Sequence, residues 1–166
     1  MPPKKKPLSA APGTKVVASN RRARHDYDIL ETVEAGMVLT GSEVKALRTG
    51  GQVEMRDGYA RVERGECWLH NVHIAPYAMA TGFGATDPDR SRKLLLHAKE
   101  IAGLGSEVAS GGLTIIPLSL YFKEGKAKVE LGLARGRKTY DKRHAIAKRD
   151  AEREEARARR GRERDR

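Results

Sequence analysis

Cysteine is nearly missing from this chain, with Cys67 alone among 166 residues, so no internal disulfide can form and a reducing compartment suits it. Long apolar runs are missing too. No stretch approaches the roughly 20 residues a membrane-spanning helix needs. Met1-Pro-Pro-Lys-Lys-Lys6 is followed by Pro, Ser, Ala and Gly where a signal peptide would have its apolar segment. The expected location is the cytoplasm, with no membrane partner. There is no phosphate loop of the Gly-rich Lys-Ser/Thr type, no paired carboxylate motif and no cofactor fingerprint. Neither an enzyme nor a cofactor is expected. Cys67, His70 and His73 resemble metal ligands, but on a strand His70 faces away from the other two, and no second ligand pair follows at zinc-site spacing. Cys67, with His70 on the opposite face of the strand, reads as core.

Positive charge is what the chain has in excess: 33 Lys/Arg against 22 Asp/Glu, a formal net charge of +11. Its placement says more than its sum. Residues 1–25 hold seven basic and no acidic residues, and 135–166 hold fourteen against seven. Subtracting both from the totals leaves twelve basic and fifteen acidic residues for 26–134, so the three segments carry +7, −3 and +7. That pattern points to a slightly acidic body that reads the shape or a few bases of a nucleic acid, with basic arms supplying the phosphate contacts.

Three units are expected. Residues 1–19, rich in Pro and small polar residues, read as a flexible basic arm; 20–134 form the body; 135–166 form a basic tail. In the body, Tyr27–Val33 alternates as a strand, Glu34-Ala-Gly36 reads as a turn or bulge, and Met37–Thr40 as a second strand. Gly41–Arg48 reads as a short helix capped by Ser42. A hairpin spans Tyr59–Ile74 around Arg64-Gly65, and a last hairpin joins Leu113–Phe122 to Lys126–Leu133 across Glu124-Gly125, with Pro117 at an edge or bulge. Arg92–Ala102 reads as the main helix, begun by Asp89 or Ser91. Projected at 100° per residue, Leu94, Ala98, Ile101 and Val108 share its buried face, which leaves Leu95 on the flank. The expected fold class is mainly β with short helices (α+β), a small antiparallel barrel of the OB type, with an open sandwich as the alternative.

The tail has one large aliphatic residue after position 143, Ile146, and therefore no face to bury. Its alanines and the Glu155–Arg159 spacing favour helix, while its charge opposes helix in isolation. It is expected to be disordered alone and helical against phosphate, or else permanently solvated. Ahead of it, Gly132–Arg143 gathers Arg135, Arg137, Lys138, Lys142 and Arg143 around one ring, Tyr140. Cations with a stacking ring suit a polyanion with flat bases.

Six blocks, in order, resemble the SmpB family of SsrA (tmRNA)-binding proteins: Asn20–Tyr27, Glu34–Gly36, Gly41–Arg48, His73–Tyr77, Asp87–His97 and Gly132–Arg143. The similarity runs from about residue 17 to 150. It implies an OB-like barrel that binds the tRNA-like domain of tmRNA and enters stalled ribosomes with alanyl-tmRNA and EF-Tu, while its tail probes the decoding centre and the vacant mRNA channel in the small-subunit rRNA. A monomer is expected. By motif match, Glu34, Leu95 and Lys128 fall at tmRNA-binding positions. The basic residues Arg21, Arg22, Arg24 and Lys45, with Asn20, complete the expected tmRNA surface. Gly136, Arg137, Lys138, Tyr140, Asp141, Lys142 and Arg143 are the expected ribosome-facing residues. Glu34 and Leu95 are expected to serve RNA without supporting the fold. Two departures stand out: the loop Thr81–Thr86 lacks the asparagine or basic residues common in the family, and Tyr140 stands where relatives have Tyr or His, so it can stack but cannot titrate near neutrality. A general ribosome-associated RNA-binding protein or RNA chaperone is the alternative reading.

Overall fold

The computed structural model describes residues 12–77, 86–136 and 139–164, with side chains left out for 139–146 and 162–164. Nine strands and four helices are present among these: β1 Thr14–Ser19, α1 Ala23–Asp26, β2 Tyr27–Met37, α2 Gly41–Arg48, β3 Val53–Glu54, β4 Tyr59–Glu63, β5 Glu66–His70, β6 His73–Ile74, β7 Arg92–Leu95, α3 Ala98–Ala109, β8 Leu113–Lys123, β9 Lys126–Gly136 and α4 Thr139–Arg164.

All the sheet pairings are antiparallel. The main sheet runs β1-β8-β4-β5-β7-β2-β9, and β9 pairs back onto β8. Six strands therefore close into a ring, with β1 added outside on β8. Closure removes most free edges, which is how a small β domain avoids pairing with its neighbours. The ring is a small OB-like antiparallel barrel. Its interior is filled by alternate residues of each strand, among them Leu69, Leu94, Ile115, Leu120, Val129 and Leu131, and its ends are covered by Ala46 and Leu47 of α2 and by Leu104 of α3.

Both hairpins turn where their sequences say. Arg64-Gly65 and Glu124-Gly125 each hold two successive residues at positive φ (50° and 75°; 51° and 78°), the two-residue geometry whose twist matches that of paired strands. Pro117 lies beside a register shift in β8 and not at an edge, since β8 is flanked by β1, β4 and β9. The helix over Gly41–Arg48 is present, but Thr40 and not Ser42 is its cap: Thr40 Oγ1 accepts from Glu43 N, and the Glu43 carboxylate accepts from Thr40 N.

Four further expectations need correction. Arg92–Ala102 is not one helix: Arg92–Leu95 is strand β7, and the helix begins at Ala98 and runs through Gly103 and Gly105 to Ala109. A short leucine run satisfies either period, and pairing with β5 and β2 decides for strand. Asp89 and Ser91 cap nothing there; they bond to His73 and His70. Second, Glu34-Ala-Gly36 is no turn, because β2 runs unbroken to Met37 with its bulge earlier, between Ile29 and Glu31. Third, Thr14–Ser19 of the expected flexible arm pairs with β8, which offers β1 an unpaired edge along Ser119–Lys123. Fourth, Glu34 does support the fold, through a bond to Tyr121 described below.

Candidate nucleic-acid interface

Antiparallel partners lie on one side of a sheet, so the ladder tells which side chains meet. Leu95 of β7 is opposite Gly36 of β2, Gly36 is opposite Lys128 of β9, Lys128 is opposite Tyr121 of β8, and Tyr121 is opposite Val16 of β1. The next row on the same outer face is Glu34, Glu130, Ser119 and Ser19. Glu34, Leu95 and Lys128, the outer two of which are 94 positions apart in the sequence, are thus brought within two adjacent rows.

Leu94 and Leu95 show how β7 builds this face. Leu94 points into the barrel at 1% exposure while Leu95 stands on the outside at 55%. Gly36 makes the room: a Cβ there would lie 3.3 Å from Leu95 Cβ, so the leucine leans over a strand with no side chain in its way. Glu34 accepts a hydrogen bond from the buried Tyr121 hydroxyl and lies 3.6 Å from Lys123 Nζ. Glu130 is buried beside it and accepts from Ser119 Oγ at 3.1 Å.

A basic rim follows at the β8–β9 turn. Lys123 and Lys126 are cross-strand partners, and Arg48 of α2 donates to Gly125 O at 3.4 Å with its guanidinium 5.4 Å from the Phe122 ring centre. Arg48, Lys123, Lys126, Gly36 and Tyr121 were not expected at the interface from the sequence. The two lysines flanking the turn were visible there; the proximity of Arg48, 77 positions away, was not. Lys45 stands apart from the two rows, its ammonium 6.0 Å from the Tyr77 ring centre.

At the other end of the outer face, α1 covers β8 and β9: Ala23 packs on Ile116, Leu118 and Ala134. Asn20 is fully occupied in placing it. Its Nδ2 donates to Met55 O (3.3 Å) and Pro117 O (3.0 Å), and its Oδ1 accepts from Ala23 N (3.3 Å). Arg21, Arg22 and Arg24 are exposed as a result, the first two bordering an open hollow with Val53, Met55 and Arg56. Gly136 closes β9 opposite Tyr27 and is exposed. Tyr140, Asp141, Lys142 and Arg143 belong to the first turns of α4, while Arg137 and Lys138 lie outside the described residues.

Away from this face, Arg92, fully buried, and Arg90 both donate to the buried Glu43. Burial alone would raise the Glu43 pKa, but the Thr40 N–H and the two guanidiniums outweigh it and hold the carboxyl below its ordinary range. Cys67 is buried and its thiol is pushed up to about 11, which makes it inert. His70 and His73 do not converge on it: their Nδ1 atoms bond Ser91 and Asp89, each at 2.8 Å. Among the described residues no group of three or more His, Cys, Asp or Glu could hold a metal ion, and no helix is long and apolar enough to cross a membrane.

A small closed barrel whose outer strands carry an exposed leucine, an anchored carboxylate and a rim of cations is a nucleic-acid-binding module. The chain belongs to the SmpB protein family, whose model matches residues 17–161. The SsrA-binding protein of Parafrankia sp. (strain EAN1pec) is 60% identical over 145 residues, covering 87% of this chain and 90% of its own. That of Thermobifida fusca (strain YX) is 55% identical over 155 residues, covering 93% and 96%. A solved chain described as "tmRNA-SmpB: a journey to the center of the bacterial ribosome" is 54% identical, with a TM-score of 0.62 over 74% of this chain and 85% of that one.

Proposed function

We propose that this protein is a cytoplasmic RNA-binding adaptor that holds the tRNA-like domain of tmRNA and brings it, with alanyl-tmRNA and EF-Tu, to stalled ribosomes for trans-translation. The observation that carries the reading is the meeting of Glu34, Leu95 and Lys128 on one outer face, in a chain 60% identical to an SsrA-binding protein. The protein acts by binding, as a monomer, and catalyses nothing itself. The body meets tmRNA through this face, with Arg21, Arg22 and Arg24 adding phosphate contacts. The tail, from Gly136 through Arg143 into α4, meets the decoding centre and mRNA channel. It suits that separate task because residues 147–161 of α4 are all exposed and leave no face packed on the body.

A paired assay tests the division: affinity for the tRNA-like domain at fixed salt, and peptide transfer to alanyl-tmRNA on ribosomes carrying a truncated message. Deleting residues 144–166, or replacing Tyr140, Lys142 and Arg143 by Ala, should leave affinity nearly intact and abolish transfer. Parallel losses in both assays would instead mark a general RNA binder with one shared electrostatic footprint.

A further inference from the structure

Tyr121 lies two residues from the end of β8 with no exposed surface, yet its hydroxyl is turned outward, across β9, to donate to Glu34 Oε2 on β2. Burial, then this hydrogen bond, then the charges of Glu34 and Glu130 push the phenol pKa upward, so the hydroxyl stays a donor. The other oxygen of Glu34 faces Lys123, 3.6 Å away. Swinging toward β9 would bring Glu34 against Glu130, its direct ladder partner and a second carboxylate. A flexible side chain is thereby held from both oxygens and barred from a third direction.

A carboxylate is an acceptor only. Beside RNA it repels phosphate, and the RNA donors from which it can accept are the N–H groups of a base edge and the ribose 2′-hydroxyl. We propose that Tyr121 is a positioning residue for RNA recognition: its hydroxyl, reaching over β9, fixes the Glu34 carboxylate beside Leu95 in the orientation that accepts from base or ribose donors of the bound RNA. This rests on the tmRNA-adaptor reading and adds the group that stands behind Glu34.

The test uses the full chain and the isolated tRNA-like domain of tmRNA, with affinity measured across a salt series for Tyr121→Phe, Glu34→Ala and the double variant, and melting recorded for each. Tyr121→Phe should bind about tenfold more weakly, the size of one charge-assisted hydrogen bond. Its salt slope should match the wild type, because no phosphate contact is lost, whereas a Lys128→Ala control should lower the slope by about one. The double variant should bind no more weakly than Glu34→Ala alone. An equal loss from Tyr121→Phe in both backgrounds would mean a general effect on the fold and overturn the proposal, as would unchanged affinity. If the Phe variant does not stay folded, Lys123→Met gives the same cycle from the other oxygen, read at high salt where the lysine's own attraction to phosphate is screened: a loss that vanishes in the Glu34→Ala background supports positioning, and one that persists overturns it. Failure of the wild type to bind would bring down the adaptor reading as well. Wild-type binding with a silent Glu34→Ala would leave that reading standing and sink this one.

Discussion

Arg92 and Glu43 form an ion pair with almost no access to water, the guanidinium on β7 and the carboxylate on α2. Arg92 also donates to Val72 O at 2.7 Å and Pro88 O at 3.0 Å, so one side chain joins a strand, a helix and two loops. Removing one partner strands the other charge, and Glu43→Ala should cost about 3–5 kcal/mol. Chemical denaturation at neutral pH checks this; a loss under 1 kcal/mol, typical of exposed pairs, would refute it.

The same pair sets a pH dependence. The folded pKa of Glu43 lies below its unfolded value, so its contribution is complete above the unfolded pKa, about 4.3, and is lost as pH falls through the folded pKa. Melting temperature should therefore drop more steeply below pH 4.5 in the wild type than in Glu43→Gln. Identical acid limbs would show that other carboxylates govern acid unfolding.

Leu94 and Leu95 should separate stability from binding. Leu94→Ala empties a core position and should cost about 2–5 kcal/mol of stability. Leu95→Ala should change stability by no more than about 0.5 kcal/mol while weakening binding of the tRNA-like domain by about 1–3 kcal/mol. Comparable melting losses in the two variants would return Leu95 to the core.

Arg21, Arg22 and Arg24 are exposed around α1. Neutralising all three should reduce the salt slope of tmRNA binding by roughly two to three. An unchanged slope would place them in solvent in the complex.

The tail gives a spectroscopic prediction. A helix of 26 residues whose described side chains find no packing surface is held only by local propensity and i,i+4 pairs. The difference in circular dichroism between the full chain and a form lacking 144–166 should show little helix in buffer and substantial helix when ribosomal subunits are added. Full helicity in buffer alone would mean that the tail needs no RNA to order.

What the sequence made legible was local. Two-residue turns, an acid early and a base late in a short helix, and alternation on either side of Arg64-Gly65 are all written within ten residues, and those elements came out in place, although the helix is capped by Thr40 and not Ser42. What it hid was pairing between distant segments. Nothing near Arg92 announces an arginine to be buried, because its partner is Glu43, 49 positions earlier. Leu95 was expected to be surplus on a helix and is exposed on a strand: both projections turn it away from Leu94, so its exposure was legible although its element was not. Glu34 was read as free for RNA because its bond to Tyr121 spans 87 positions.

The strand β8 pairs with β1, near the start of the body, and with β9 at its end, and it also touches β4 at Ala60–Ile115. The ring therefore has no closed form until the last hairpin exists. During synthesis, everything before Leu113 must wait as open strands with their apolar sides uncovered, and folding of the body becomes one late event with a high loop-closure cost. A copy of this protein cut short before that hairpin would be no smaller version of it, only an unfinished chain fit for a protease.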